Sequence, residues 1–249
     1  MGTESLAGTK GYGSSLYQTH KMLAGWIRPN SRVLEIGCST GAFARFLCQT
    51  KGCTVVGVEL NPAAAGVARG VCERVVCGDA EVETTWCDVA SGYDYVVFAD
   101  VLEHLRYPEL ALRRSKTVLA PGGAIAMAVP NVAYYTVRLQ LLRGHFDYKS
   151  YGILDETHLR FFTRDTFKAL IGRCDLFLLD LVPELLPLRG ERLCDRLGLS
   201  PLKHLVDALF WQWAPCAAAL KWLGLCSAAR DAGPNCRAAC GLGRSVEAR

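Results

Sequence analysis

Long basic runs are missing from this sequence: its 28 lysines and arginines include no four in a row, and no aromatic residues interleave with a basic stripe. With a net charge of only +4, the pattern gives no support to a nucleic-acid partner, and none is expected. The 12 cysteines form no C-x-x-C motif and no Cys/His pair at zinc spacing, Cys236 and Cys240 coming nearest. Their scatter through apolar segments points to buried, reduced thiols. The opening MGTESLAGTKGYGSS shows no basic stretch followed by an apolar one, so no signal peptide is read there. A cytoplasmic location is the resulting expectation. Internal repeats and low-complexity blocks are also lacking.

What the chain does have is apolar content: 51% of 249 residues are hydrophobic and 21% charged, enough to bury a sizeable core. A helical stretch, Ser15 to Ile27, precedes five strand–helix alternations. The strands are read at Val33–Ile36, Val55–Leu60, Arg74–Cys77, Tyr95–Ala99 and Ala124–Val129, with the turn Pro121-Gly122-Gly123 aiming the fifth. A sixth, Leu176–Val182, follows a long insertion over residues 132–175. This string predicts an α/β fold, a doubly wound and mostly parallel Rossmann-like sheet with ligands at the carboxyl ends of its strands. Residues 1–183 are expected to form that domain, with the insertion as a lid. Residues 184–230 read as a mostly helical apolar extension packed on it, and 231–249 as a poorly ordered tail. The aromatic run from Leu202 to Cys226 also suits a membrane interface, so peripheral membrane contact through the extension stays open.

The stretch RVLEIGCSTGAFARFL, Arg32 to Leu47, is a strand, a glycine turn and an amphipathic helix. A dinucleotide turn places its second glycine where Ser39 stands here. Glu35, two residues before Gly37, would repel a pyrophosphate and attract an ammonium; its alternative role is to satisfy the backbone of the glycine turn. Glu59 ends the second strand, where an acid grips a ribose diol. Asp79 ends the third, where it can accept from an adenine amine, and Asp100 ends the fourth. Adenine, a ribose and an ammonium-bearing amino acid together describe S-adenosylmethionine.

The chain resembles the class I S-adenosylmethionine-dependent methyltransferases from Ser31 to about Val182. The carriers are VLEIGCSTG, VVGVELNP, VVCGDA, YDYVVFADVLEHL and LAPGGAIAMAVPN, in the family's order and spacing. The resemblance implies cofactor contacts from Glu35, Gly37, Cys38, Ser39 and Gly41, from Glu59 and Leu60, from Asp79 and Ala80, and from Asp100 and Val101. The insertion PNVAYYTVRLQLLRGHFDYKSYGILDETHLRFFT is similar to methyltransferases found with glycosyltransferases in bacterial polysaccharide and natural-product clusters. It implies a small-molecule or glycan acceptor.

An alcohol is a poor nucleophile at neutral pH, so a base is sought in the lid, and His158 is the candidate catalytic residue; its alternative role is to pin the lid to the sheet. His145 and His104 are its substitutes. Asn131, Tyr134, Tyr135, Arg138 and Arg160 are candidate acceptor contacts. No convincing set of carboxylates faces the acceptor, although Asp155 and Glu156 flank His158, and no metal is expected. O-methylation of a sugar or other natural product is the leading function. Methylation at nitrogen or carbon, and a catalytically silent cofactor-binding scaffold, are the alternatives.

Overall fold

The computed structural model describes residues 12–185 and 219–228. Seven strands form one sheet in the order β3-β2-β1-β4-β5-β7-β6. They are β1 (Arg32–Ile36), β2 (Thr54–Glu59), β3 (Arg74–Cys77), β4 (Tyr93–Ala99), β5 (Leu119–Pro130), β6 (Phe177–Leu185) and β7 (Ala219–Ser227). The first five are parallel, and β7 runs antiparallel between β5 and β6. Strand side chains alternate between faces, and the core divides accordingly. Leu34, Val56, Phe98 and Ile125 pack with Leu112 and Phe167 on one side. Val33, Val55, Val97 and Ala126 pack with Leu23, Phe43 and Leu47 on the other. The order of the two central strands makes the sheet reverse at β1 and β4, where an open α/β sheet leaves a crevice at its carboxyl edge.

Seven helices are present among the described residues: α1 (Tyr12–Trp26), α2 (Ala42–Lys51), α3 (Pro62–Ala68), α4 (Glu83–Cys87), α5 (Pro108–Val118), α6 (Tyr135–Leu142), which lies in the insertion, and α7 (Arg164–Arg173). A 3₁₀ turn, Leu102–His104, follows β4. No helix of the described residues is long and apolar enough to cross a membrane.

Three expectations need correcting. Ala219–Ser227, read as part of a mostly helical extension, is a strand inside the sheet, and its Gly224 admits the ring of Phe167 so closely that a Cβ would sit 3.2 Å from it. The expected turn Pro121-Gly122-Gly123 lies within β5, where the pairing jumps from Tyr93–Leu119 to Tyr95–Ala124, so these residues bulge out of the ladder. The end of the expected lid is α7, whose Phe167, Leu170 and Ile171 are buried against the sheet, each worth about 1.5–3 kcal/mol. What remains of the insertion is 132–163. β6 also runs through Pro183, tolerated because it is an edge strand. Residues 186–218, including most of the apolar run for which packing on the domain or membrane contact was expected, and residues 229–249 with the tail lie outside the described residues.

Candidate active site

A cleft of about 270 Å³ opens at the carboxyl ends of β1–β4. Seven of the eleven expected cofactor contacts line it: Gly37, Glu59, Leu60, Asp79, Ala80, Asp100 and Val101. The glycine turn is shaped by left-handed backbone at Gly37, Ser39 and Gly41. Only glycine suits the first, because a Cβ on Gly37 would lie 2.6 Å from Val101 Cγ2. Ser39 tolerates φ 48° on the exposed outer side. Its N–H donates to Glu59 Oε2 at 2.8 Å, while Asn61 N–H donates to Glu59 Oε1 at 2.8 Å. Both oxygens are thus fixed by backbone donors, and each keeps a lone pair for the cleft. Asp79 Oδ1 accepts from Glu81 N–H at 2.8 Å, so it braces its turn while lining the cleft.

Glu35 is a correction. It is buried beneath the turn, bonded by the Ala44 N–H of α2, and its burial pushes its pKa well above the usual carboxylate range. Held beneath the turn toward α2, its carboxyl group is not on the cleft wall. Cys38 and Gly41 are likewise buried off the cleft wall, with the Cys38 sulfur packed over Gly57.

At the β4 end, Asp100 adopts the left-handed conformation, φ 57°. It caps no helix; its Oδ2 instead accepts from Lys221 Nζ of β7 at 2.5 Å. Lys221 also donates to Thr19 Oγ1, which donates to Glu184 Oε2, at 3.0 and 2.6 Å. Burial alone would lower the Lys221 pKa, but Asp100 and Glu184 more than offset it and the net direction is up.

The expected base, His158, is 9% exposed and not on the cleft wall. Its Nδ1 lies 3.1 Å from Ile153 O and its Nε2 4.0 Å from Glu103 Oε1. Burial, then the neighbouring His104, lowers its pKa. His104 does line the cleft, with its ring edge-on to His158 at 4.8 Å between centroids. Its Nδ1 sits 3.3 Å from Thr157 O and 3.2 Å from Thr157 Oγ1, both in the lid. Glu103 is fully buried, and neither carboxylate oxygen has a hydrogen-bond partner among the described residues. Burial, then Asp100, raises its pKa well above the usual range. One ligand atom each from Glu103, His104 and His158 lie within 4.8 Å of one another, a carboxylate and two imidazoles able to hold a divalent cation.

The acceptor candidates divide. Asn131 is 0% exposed, donates to Ala219 O at 2.7 Å and accepts from Ala133 N–H at 3.1 Å. It pins β5 to β7 and does not face an acceptor, a second correction. Tyr134 is buried with its ring 4.7 Å from that of half-buried Tyr135. Arg138 donates to Ala133 O at 2.6 Å, and Arg160 donates through two nitrogens to Arg106 O. Sequence reasoning passed over Glu103 and Lys221. The spacing Asp100-x-x-Glu103-His104 was the available signal for the first; Lys221 had none without β7.

A parallel sheet reversing at β1 and β4, an acid at the end of β2 and a second at β3 define a nucleoside-binding enzyme fold. A family model described as a methyltransferase domain matches residues 14–180, and the chain belongs to that family; its cofactor is S-adenosylmethionine. The ubiquinone biosynthesis O-methyltransferase of Acinetobacter baylyi is 26% identical over 158 residues, 55% of this chain and 66% of its own. That of Aeromonas salmonicida is 28% identical over 128 residues, 47% of this chain and 52% of its own. The chain therefore spans between half and two-thirds of these relatives. In fold it is similar to a SAM-dependent methyltransferase from Archaeoglobus fulgidus (TM-score 0.61, 16% identity, covering 88% of this chain and 96% of that one). A SAM-dependent methyltransferase from Thermotoga maritima is also similar (TM-score 0.58, 16% identity, 88% and 95% covered).

Proposed function

We propose that the protein transfers the methyl group of S-adenosylmethionine to a hydroxyl oxygen of a small acceptor, a sugar or another natural product. The observation that carries this reading is the His104 imidazole on the cleft wall, tied to the lid through Thr157. The resemblance of the lid to methyltransferases of polysaccharide and natural-product clusters supports the acceptor class. The curated relatives named O-methyltransferase support oxygen.

The sulfonium is already a good leaving group, so alignment of nucleophile, methyl and sulfur supplies much of the rate, about 7–11 kcal/mol in well-oriented cases. With Nδ1–H of His104 donating to Thr157 O, Nε2 is left as an acceptor. It takes the hydroxyl proton as the new C–O bond forms and the S–CH₃ electrons return to sulfur. His158 then positions His104 and does not itself touch the acceptor. Its lowered pKa keeps it uncharged, adding no positive charge near the incoming sulfonium. A second reading rests on the same cluster: Glu103, His104 and His158 would hold a divalent cation, which would supply Lewis-acid activation of the acceptor hydroxyl.

Transfer of labelled methyl from the cofactor to a panel of sugars and phenolic or aliphatic alcohols tests the function, with amines as the comparison. Label in an O-methyl product, unaffected by EDTA, supports the base reading. EDTA inhibition reversed by magnesium or zinc supports the metal reading. Label only in N-methyl products, or none with tight binding of a protein partner, overturns both.

A further inference from the structure

We propose that Lys221 is a positioning residue for the amino-acid end of the cofactor: by pairing with Asp100 Oδ2 it fixes that carboxylate so that Oδ1 receives the ammonium group. The inference rests on the cleft being the cofactor site. The adenosine end belongs to the acids of β2 and β3, Glu59 and Asp79, which leaves the β4 end for the amino acid.

Asp100 is where an ammonium is most needed. It lines the cleft beside Gly37 and Val101, yet its Oδ1 is buried without a hydrogen-bond partner among the described residues. A desolvated carboxylate oxygen left unpaired is unfavourable, and a cationic donor from the ligand relieves it. Its backbone sits at φ 57°, sparsely populated for a non-glycine residue. Two restraints hold it there: the Asp100 N–H to Ala128 O, 3.2 Å, and the Lys221 pair.

Lys221 is built for this and not for generic sheet stability. It stands at the cleft end of β7, opposite Pro130 of β5 and Glu184 of β6. Only 7% exposed, it has given up its hydration in a place where an apolar residue would pack at less cost. Its ammonium bridges Asp100 to Thr19 of α1, and through it to Glu184. Asp100 and Glu184 both pull on this one ammonium. The same pull keeps Lys221 protonated, its pKa displaced upward, so the restraint persists throughout the physiological range.

The test compares two ligands that share the adenosine and thioether but differ in the amino acid: S-adenosylhomocysteine and 5′-methylthioadenosine. Calorimetry on Lys221→Met should give S-adenosylhomocysteine binding weakened about tenfold or more, as for loss of a charge-assisted contact, with methylthioadenosine within about twofold of wild type. Lys221→Arg should recover most of the loss. Because Lys221→Met leaves two acids buried, Asp100→Asn is the companion variant. It should show the same ligand-selective loss, and adding Lys221→Met to it should weaken S-adenosylhomocysteine no further. Equal weakening of both ligands, no weakening of either, or additive losses in the double variant would overturn the proposal. Wild-type protein that binds the two ligands equally overturns it as well. Wild-type protein that binds neither overturns the cofactor placement on which it stands.

Discussion

At the ends of β1, β2 and β3 the cleft is made by residues close together in the chain, whereas beyond β4 it is made by residues up to 202 positions apart. On the first side the working groups sit in short turns: Gly37 to Gly41, Glu59 to Asn61, Asp79 to Glu81. Each is held by backbone N–H groups a few residues away or on the adjacent strand. On the second side, Asp100 depends on Lys221, Lys221 on Thr19 and Thr19 on Glu184, while His104 depends on Thr157 of the lid. The first arrangement is a backbone device of doubly wound α/β folds, whose ligands lie at the carboxyl ends of the strands. The second is a side-chain network particular to this chain. The first side should therefore carry binding of the nucleoside, and the second the seating of the amino acid and the chemistry.

The largest effect expected from this contrast is on rate. His104→Ala should lower methyl transfer by about 10²–10⁴-fold, the range for removal of a positioned base, and leave S-adenosylhomocysteine affinity within about twofold. Single-turnover rates beside calorimetric binding check it. A wild-type rate in that variant would take both histidines out of the mechanism, since His158 reaches the cleft only by way of His104.

Next in size is a pH effect seated in the same network. His20 of α1 is buried against Phe43, ring centroids 4.6 Å apart, and burial depresses its pKa from 6.5 to about 4, with Lys221 pushing the same way and Asp100 opposing. A histidine depressed in the folded state stabilises above its unfolded pKa. That contribution is lost as pH falls from about 6.5 through about 4, because the unfolded chain takes a proton that the folded one refuses. The loss amounts to about 3 kcal/mol at roughly 1.4 kcal/mol per pH unit. Urea unfolding between pH 7 and 4 should show His20→Leu declining less steeply than wild type. Parallel curves would mean that this end of the network is wetter than its burial indicates.

The backbone-built side offers the third comparison. Glu59→Ala should weaken S-adenosylhomocysteine by about 1.5–3 kcal/mol, the range for hydrogen bonds to a charged group. Methylthioadenosine should suffer equally, since the ribose is common to both. A loss confined to S-adenosylhomocysteine would place Glu59 at the wrong end of the cofactor.

The same division decides what was legible in the sequence. Strands β1 to β5 and the cleft residues at their ends announce themselves through apolar runs and glycine turns, since local chemistry makes them. Glu35 misled because a charge in a ligand-binding turn was assumed to face the ligand; its burial under α2 comes from packing that spacing does not reveal. ALKWLGLCS was absorbed into a helical extension because Leu and Ala favour helix and Lys221 breaks any strand alternation. A strand buried on both faces shows no alternation, and only its place between β5 and β6 explains the run. Nothing in the spacing of Glu103 between Leu102 and His104 marked it as buried. Its carboxylate is buried because Leu159 and Arg160 of the lid donate their N–H groups to its carbonyl at 2.8 and 3.0 Å, closing the lid over it.

Arg160 gives the smallest effect and the sharpest test of where the lid ends and the acceptor begins. As an acceptor contact it would hold an acidic group, and Arg160→Ala would raise the acceptor KM by tenfold or more, on the order of 1.4 kcal/mol. The geometry argues for a different role. Both Nε and Nη2 point at Arg106 O, in the loop between the 3₁₀ turn and α5, and a fork with both prongs on one carbonyl has little left for a ligand. The side chain is exposed, so water replaces it readily and the cost of its loss is modest, roughly 0.5–1.5 kcal/mol for an intramolecular hydrogen bond. Arg160→Ala should thus lower the melting temperature by a few degrees and leave the acceptor KM within about twofold, because the lid's other ties, through Glu103 and Thr157, remain. Arg160→Lys should recover only part of that stability, as a single ammonium cannot reproduce the fork. A large KM change at unaltered melting temperature would move Arg160 from the lid's hinge to the acceptor site, and would bring an acidic acceptor into the side-chain-built half of the cleft.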